Sequence, residues 1–320
     1  MDTPQILTKE QVATFLKEIE QQPSLFLTLA LCSFSLIIYL CSLFMPLTFF
    51  PITVICLSIT MTMFAVITHE CAHLSLFPKR IVNIWIGYIA GVLCFTPFCS
   101  YQRGHRAHHN WVGSSLKKDP TPSPKKRVTP NLFLDILFKL RIPVFYWFGV
   151  YLPYLFYDLK PTARKHSAKH IVQFIVNIVF IIVFHYCAAI YLGANKYLLL
   201  VGCAFIGSGM IYEHLFTMTQ HVGLQSIPEK REKYSYREQI NFSRSVHLPL
   251  SVLFFHFNLH KEHHLIPGLN YQSLPILHEK ISILRPDIFT FTSSEIRPLS
   301  IRKQPIHEVL SARKGDQENV

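Results

Sequence analysis

The sequence predicts an all-α integral membrane protein with about four transmembrane helices and additional interfacial helices. Half of its 320 residues are apolar and only 16% are charged, and the mean hydropathy is positive. This composition is too apolar for an ordinary soluble domain. The net charge of +12 would also suit a nucleic-acid-binding protein. In so apolar a chain, however, a basic excess is more typical of surfaces that face anionic headgroups, so no nucleic-acid partner is expected.

Two apolar blocks are each long enough for two membrane crossings. Residues 25–68 contain no Asp, Glu, Lys or Arg and are about twice as long as the roughly 20 residues that one crossing needs. Pro46 and Pro51 near the centre of this block predict a helical hairpin. Residues 171–219 form the second block, and Gly193 lies near its centre. The polar segment 1–23 does not resemble a signal peptide, so no cleavage is expected.

The distribution of basic residues predicts the orientation of the chain in the membrane. Residues 78–170 hold fifteen Lys or Arg and three Asp, whereas the two tight hairpin loops hold a single lysine between them. The positive-inside rule therefore places the basic middle in the cytoplasm. Both termini are then cytoplasmic too, because two crossings separate each terminus from the middle. The chain is predicted to be one membrane domain that ends in a cytoplasmic segment, 222–320.

Two further stretches in the basic middle are apolar without being predicted to cross the membrane. The run from Ile81 to Cys99 contains Gly87, Gly91 and Pro97, which are expected to break it into a re-entrant or interfacial segment. A crossing here would also invert every element that follows. Residues 132–157 mix aromatic with charged side chains, which is typical of a helix lying in the interface.

The histidines carry the strongest chemical signal in the chain. Eight of the seventeen fall into three short boxes, at His69 and His73, at His105, His108 and His109, and at His260, His263 and His264. Spacings of three and four residues place the imidazoles of each box on one face of a helix, and the two imidazoles of the first box can reach one metal ion. All three boxes lie at the predicted cytoplasmic ends of spans. A lone buried histidine is more often structural than a ligand, but three such boxes are not explained by chance.

The order H-x3-H, H-x2-HH, H-x2-HH resembles the three histidine boxes of the membrane fatty acid desaturase and hydroxylase superfamily. The flanking residues agree, because 105–120 resembles the second box with its trailing Asp-Pro. Residues 260–278 are similar to the third box with its Leu-Pro-x-Leu-His ending. The four-span layout of this family matches nearly the whole chain. The resemblance implies a cytoplasmic-face cluster of two irons, held mainly by neutral imidazoles, with one more histidine near the end of the last span.

His221 is the expected additional ligand. His214 is the competitor, but it lies about 10 Å deeper at 1.5 Å per residue. The implied ligand set is His69, His73, His105, His108, His109, His221, His260, His263 and His264. Nine imidazoles are too many for one structural zinc ion, which takes four ligands, so two metals with open positions fit better. Glu70, Asp119 and Glu262 are expected to accept hydrogen bonds from the outer N–H groups of ligands, although Asp119 and Glu262 also suit ordinary solvated charges.

The resemblance further implies O2-dependent desaturation, in which two electrons from an external donor help to remove two hydrogens from adjacent carbons. The chain has no haem-attachment motif and no nucleotide-binding glycine motif. A separate ferredoxin or cytochrome-b5-type donor is therefore expected. No catalytic residue beyond the ligands is expected. The acyl tail is predicted to enter an apolar tunnel inside the membrane domain, where Met61, Phe64 and Ala65 either line the tunnel or serve only in packing.

The substrate class rests on two details of the boxes. The three residues between His69 and His73 resemble the acyl-lipid desaturases, and the third box begins with His260 where front-end desaturases have glutamine. A hydroxylase or ketolase acting on a carotenoid, sterol or alkane remains an alternative, because histidine spacing does not separate these reactions. A membrane metal transporter or sensor is an alternative from a different class. Transporters usually place such ligands near the bilayer midplane, which disfavours it.

Overall fold

The computed structural model describes residues 9–19, 23–112, 157–159, 168–217, 220–221 and 243–284, and this part of the chain is almost entirely helical. In chain order the α-helices of the described ranges are α1 (Lys9–Ile19), α2 (Leu25–Phe44), α3 (Phe50–His73), α4 (Arg80–Leu93), α5 (Phe98–Trp111), α6 (Ala168–Leu192), α7 (Ala194–Tyr212), α8 (His260–Leu265) and α9 (Leu274–Leu284). Within those ranges, the extended pairing is limited to an isolated bridge between Ser245 and Leu259. The prediction of an all-α protein is therefore confirmed.

The chain divides into two compact units. The span unit comprises residues 25–106 and 141–214, and the terminal unit comprises 1–24, 107–140 and 215–320. The interfacial helix predicted at 132–157 and most of the basic middle lie outside the described residues.

Four helices of the span unit are long and apolar enough to cross a membrane, which confirms the predicted number. They are Leu25–Phe44, Leu47–His73, Ala168–Leu192 and Ala194–Tyr212. Pro46 precedes a 3-10 turn and Pro51 occupies the first turn of α3, where proline removes no helical hydrogen bond. The two prolines therefore mark the hairpin turn without distorting α3.

Close packing in the span unit relies on small and hydroxyl-bearing residues. Thr62 of α3 lies 3.1 Å from the hydroxyl of Ser208 on α7. A Cβ atom on Gly207 would lie only 2.3 Å from Ser58 Oγ. Small residues let the backbones of membrane helices approach closely, since lipid provides no hydrophobic drive for their association. This contact fixes α3, the helix that ends in the first histidine box, against α7.

The run from Ile81 to Cys99 is interrupted as predicted, but its glycines do not cause the break. Helix α4 continues through Gly87 and Gly91, and α4 and α5 meet at 105°. A bent pair of this kind is either a broken span or a re-entrant loop. A Cβ atom would lie 2.4 Å from the Thr96 carbonyl oxygen at Gly91 and 2.3 Å from the Phe98 ring at Gly87. The glycines therefore make room for the start of α5 to fold back on α4.

His185, on α6, contacts residues at the bend between α4 and α5. Its Nε2–H donates to the Val92 carbonyl oxygen at the end of α4 (2.9 Å), and its Nδ1 accepts from the Tyr197 hydroxyl (2.5 Å). The Phe95 ring stacks on the imidazole at 3.8 Å between centroids. His185 is therefore a satisfied polar group inside the bundle, as the sequence indicates for a histidine outside the boxes.

The terminal unit is built around α9. Ile19 at the end of α1 packs in an apolar cluster with Leu265, Leu277 and Ile281. The Gln272 side chain donates to the carbonyl of Ser24 (3.0 Å) and accepts from its backbone N–H (2.9 Å). These contacts hold α9 and the end of α8 against the N-terminal segment.

Candidate metal centre

The first histidine box forms the last turn of α3. The helix ends at His73 because Leu74 adopts a left-handed conformation (φ 62°) and its N–H returns to the carbonyls of Glu70 and Cys71. His69 and His73 are one turn apart, so their side chains point the same way. Their rings lie 4.8 Å apart between centroids.

Three box histidines of the span unit form a compact cluster. The His105 ring, on α5, lies 4.4 Å from the ring of His69 and 4.8 Å from that of His73. One ring nitrogen from each of the three histidines lies within 4.8 Å of those of the other two. His69 is fully buried and His105 is 5% exposed. The arrangement provides three imidazole donors from two helices, in a place that water reaches little.

Glu70 orients the His69 ring. The fully buried carboxylate accepts from His69 Nδ1 at 2.9 Å and from the Ser75 hydroxyl at 3.1 Å. When Glu70 is ionised it can only accept, so the Nδ1 atom of His69 then carries the proton and Nε2 keeps its lone pair. Glu70 thus has the contact that the sequence analysis expects of it, and this contact leaves Nε2 available to bind a metal.

A buried ion pair positions α5 just before its histidines. The Arg103 guanidinium donates through Nε to Asp158 Oδ1 at 2.7 Å, and its Nη2 contacts Oδ2. It also donates to the side-chain oxygen of Gln173 at 3.1 Å. Asp158 is 1% exposed. This pair was not predicted, because 55 residues separate Arg103 from Asp158.

The other six predicted ligands belong to the terminal unit. His108, His221 and His264 each offer one ligand atom, and these atoms lie within 4.8 Å of one another. The Nε2 atom of His260 lies 2.8 Å from that of His221 and 3.1 Å from that of His264. His109 and His263 bring their Nε2 atoms to 3.1 Å.

These spacings fit coordination of a transition metal by imidazole. Two nitrogens bound at about 2.1 Å and at a right angle to each other lie about 3 Å apart, which matches the observed Nε2 distances of 2.8 to 3.1 Å. Burial lowers the pKa of His264 well below its ordinary value, and the neighbouring histidines lower it further. His264 is therefore a neutral imidazole at physiological pH, which is the form that binds a metal.

Of the remaining candidate residues for the metal site, the structure describes the side chain of Glu262 only. Glu262 is fully buried. It was expected to accept a hydrogen bond from a ligand histidine, but its partners are His278 and Ser245. It lies about 200° around the helix axis from His260, away from the ligand face. Asp119 and the side chain of His214 lie outside the described residues.

His278 and Ser245 had no role in the sequence analysis. His278 is the last residue of the Leu-Pro-x-Leu-His motif, so its place in a family motif could have marked it as a candidate functional residue. Ser245 is an ordinary polar residue in the sequence.

Comparisons with known proteins identify the family of the chain. The family model described as fatty acid desaturase matches residues 43–288, a range that contains all nine predicted ligands. A "Fatty acid desaturase" from Bacillus subtilis (strain 168) is 27% identical over 237 residues, which cover 68% of this chain and 64% of that protein. The "Sphingolipid delta(4)-desaturase DES1" of Bos taurus is 27% identical over 225 residues, covering 66% of this chain and 59% of that protein. The Homo sapiens protein of the same name is 25% identical over 224 residues, with coverages of 66% and 59%.

The matched regions thus span less than two thirds of the length of these relatives. The family match, in contrast, covers most of the present sequence and both histidine clusters. Together with the four candidate spans, it shows that the chain belongs to the fatty acid desaturase family.

Proposed function

We propose that the protein is a membrane-bound oxidoreductase that introduces a double bond into the acyl chain of a lipid, using O2 and two electrons from a separate donor. The observation that carries the proposal is the pair of histidine clusters, whose imidazoles lie at metal-binding distances and are buried except for the half-buried His73 and His221. Family membership and the names of the relatives support the reaction type. The acyl-lipid substrate class rests on the spacing of the first box and on His260 at the start of the third.

Two iron ions are the proposed cofactor. The proposed ligands in the span unit are His69, His73 and His105. Those in the terminal unit are His108, His109, His221, His260, His263 and His264. Iron held by neutral ligands supplies the oxidising power that removal of hydrogen from an unactivated methylene requires. The number of imidazoles favours two metals over a single structural zinc ion.

The side chains around the clusters have their own tasks in this proposal. Burial of His69, His108 and His264, which are all at most 2% exposed, keeps bulk water from the reacting carbons. Glu70 holds the His69 ring in one tautomer and one orientation. The Arg103–Asp158 pair holds α5 so that His105 meets the end of α3.

The electron donor is proposed to be an acidic carrier of the ferredoxin or cytochrome-b5 type. The excess of Lys and Arg in 78–170 supports this docking, and it also supports a cytoplasmic location for that segment, for both termini and for the metal site. An anionic headgroup of the substrate could bind to the same basic residues.

Lipid profiling tests the reaction. The protein is produced in cells that lack it, and their lipids are compared with those of cells carrying the His69→Ala variant. A product that has lost two hydrogens is expected only with the intact protein. A product that has gained one oxygen would identify a hydroxylase. Unchanged lipids, together with greater metal uptake in cells that carry the intact protein than in cells that carry the variant, would favour the transporter alternative.

Single alanine substitutions test the ligand set. Each of the nine histidines should be required for turnover, and each variant should bind less iron in the purified protein. The exposed His247 provides the matched control, whose alanine variant should retain both properties. Normal activity in a box variant would remove that histidine from the site. An active His221→Ala together with an inactive His214→Ala would show that the depth argument chose the wrong residue.

A further inference from the structure

Helix α8, which carries the third histidine box, is too short to orient itself. It has six residues, His260–Leu265, and an isolated helix of this length is unstable in water. Its direction must therefore be fixed by contacts from outside the helix. Three of its six residues are proposed metal ligands, so a small rotation of α8 would displace several imidazoles at once.

Glu262 provides one such contact on the side of α8 away from the ligands. Its carboxylate is fully buried, and both oxygens have partners in the terminal unit. Oε1 accepts from Nδ1 of His278 at 2.5 Å. Oε2 accepts from the hydroxyl of Ser245. A buried carboxylate with two charge-assisted hydrogen bonds is strongly fixed in direction.

The two partners of Glu262 are themselves anchored. His278 lies on α9, whose Leu277 and Ile281 are fully buried in the apolar cluster with Leu265. The Ser245 hydroxyl also accepts from the backbone N–H of Lys261 at 3.0 Å, in the first turn of α8. Ser245 thus contacts both the beginning of the helix and its central carboxylate.

We propose that His278 is a positioning residue for the metal site, which acts through Glu262, with Ser245 as the second support. The hydrogen bond from His278 Nδ1 fixes the position of the Glu262 carboxylate. Because Glu262 belongs to α8, this contact fixes the rotation of α8 about its axis. That rotation determines where the Nε2 atoms of His260, His263 and His264 lie. This inference rests on the proposed function, because it concerns the same metal site.

The test is metal binding by the purified full-length protein in detergent, titrated with Co²⁺ as a spectroscopic probe and with Fe²⁺ under anaerobic conditions. His278→Leu removes the donor and should weaken metal binding about 10- to 100-fold, the usual effect of losing a group that orients ligands. It should also alter the Co²⁺ absorption bands. His278→Asn places an amide N–H near the position of Nδ1 and should restore binding to within a few-fold of the wild type. His247→Leu is the control and should bind normally.

Two results would overturn the proposal. One is wild-type affinity in His278→Leu, and the other is equal impairment in His278→Leu and His278→Asn, since the donor would then not be the cause. If His278→Leu is not recovered as folded protein, Ser245→Ala decides in its place. Reduced metal affinity in that variant supports the proposal, and wild-type affinity overturns it.

The metal titration separates this proposal from the proposed function. A wild-type protein that binds metal but forms no double bond would contradict the function and leave the role of His278 intact. A desaturating wild type with a fully metal-binding His278→Leu variant would contradict only the role of His278.

Discussion

Breaking the Arg103–Asp158 pair should destabilise the protein far more from one side than from the other. Asp158 is 1% exposed, whereas 22% of the Arg103 side chain is exposed. Arg103→Met therefore leaves a carboxylate in a place that water does not reach. Asp158→Leu leaves a guanidinium that still donates to Gln173 and can turn towards water.

The size of the effect follows from the burial. Removing one partner of a buried ion pair costs about 3 to 5 kcal/mol, and the partial exposure of Arg103 reduces this to about 2 to 3 kcal/mol for Arg103→Met. For a chain of this size, 1 kcal/mol corresponds to about 2 to 4 °C in the melting temperature, so a decrease of about 5 to 10 °C is expected. Asp158→Leu should cost about half as much. The double variant should regain part of the loss, because it leaves no buried charge.

Thermal unfolding of the purified protein in one detergent measures these shifts. Lys280→Met is the control, because it breaks an ion pair with Glu18 in which both side chains are a third or more exposed. Its cost should be at most about 1 kcal/mol. The reasoning would be refuted if Arg103→Met lowered the melting temperature no more than Lys280→Met does. It would also be refuted if the double variant lost as much as the two single variants together.

Three further predictions concern orientation, substrate and the bend. Reporter fusions or cysteine labels at Lys125 and at the C-terminus should report the cytoplasmic side for both, and opposite sides would mean that the run from Ile81 to Cys99 crosses the membrane. Bulkier residues at Met61, Phe64 or Ala65 should shorten the acyl chain that is preferred, and an unchanged product profile for all three would place the tunnel elsewhere. Gly91→Ala should lower the melting temperature and the bound metal, because its Cβ would lie 2.4 Å from a backbone oxygen. Gly202→Ala, where the added Cβ meets no atom within 4 Å, should change neither, and equal effects in both variants would contradict the steric argument.

The sequence predicted those features that depend on local spacing. Histidines three or four residues apart share a helical face whatever surrounds the helix, so the eight candidate ligands of the three boxes were visible before the fold. His221 was expected only from the family resemblance, and the division of the histidines between two clusters was not predicted. The four spans were equally visible, since length and hydropathy define them.

Features that depend on distant contacts were not visible in the same way. A glycine in an apolar run suggests a break, yet Gly91 lies inside α4 and provides space for the Thr96 carbonyl. Glu262 looks like either a partner of its neighbouring histidines or a solvated charge, but its partner His278 lies sixteen residues away on another helix. The partner of a buried carboxylate depends on how distant helices pack together, and local sequence spacing does not determine this packing.

Three of the four buried carboxylates among the described residues point to a common principle in the construction of the site. Glu70 lies beside His69, Asp158 holds the helix of His105, and Glu262 holds the helix of His264. A buried charge is costly unless other groups compensate it, and each of these carboxylates accepts hydrogen bonds from groups that are not themselves carboxylates. If they bound the metals directly, they would neutralise the metal charge and make the centre a weaker oxidant. By acting through hydrogen bonds, they would fix the direction of the proposed neutral ligands and leave the charge on the metals. In the proposed desaturase, a strongly oxidising centre would therefore depend on keeping these carboxylates hydrogen-bonded to other groups and away from the metals.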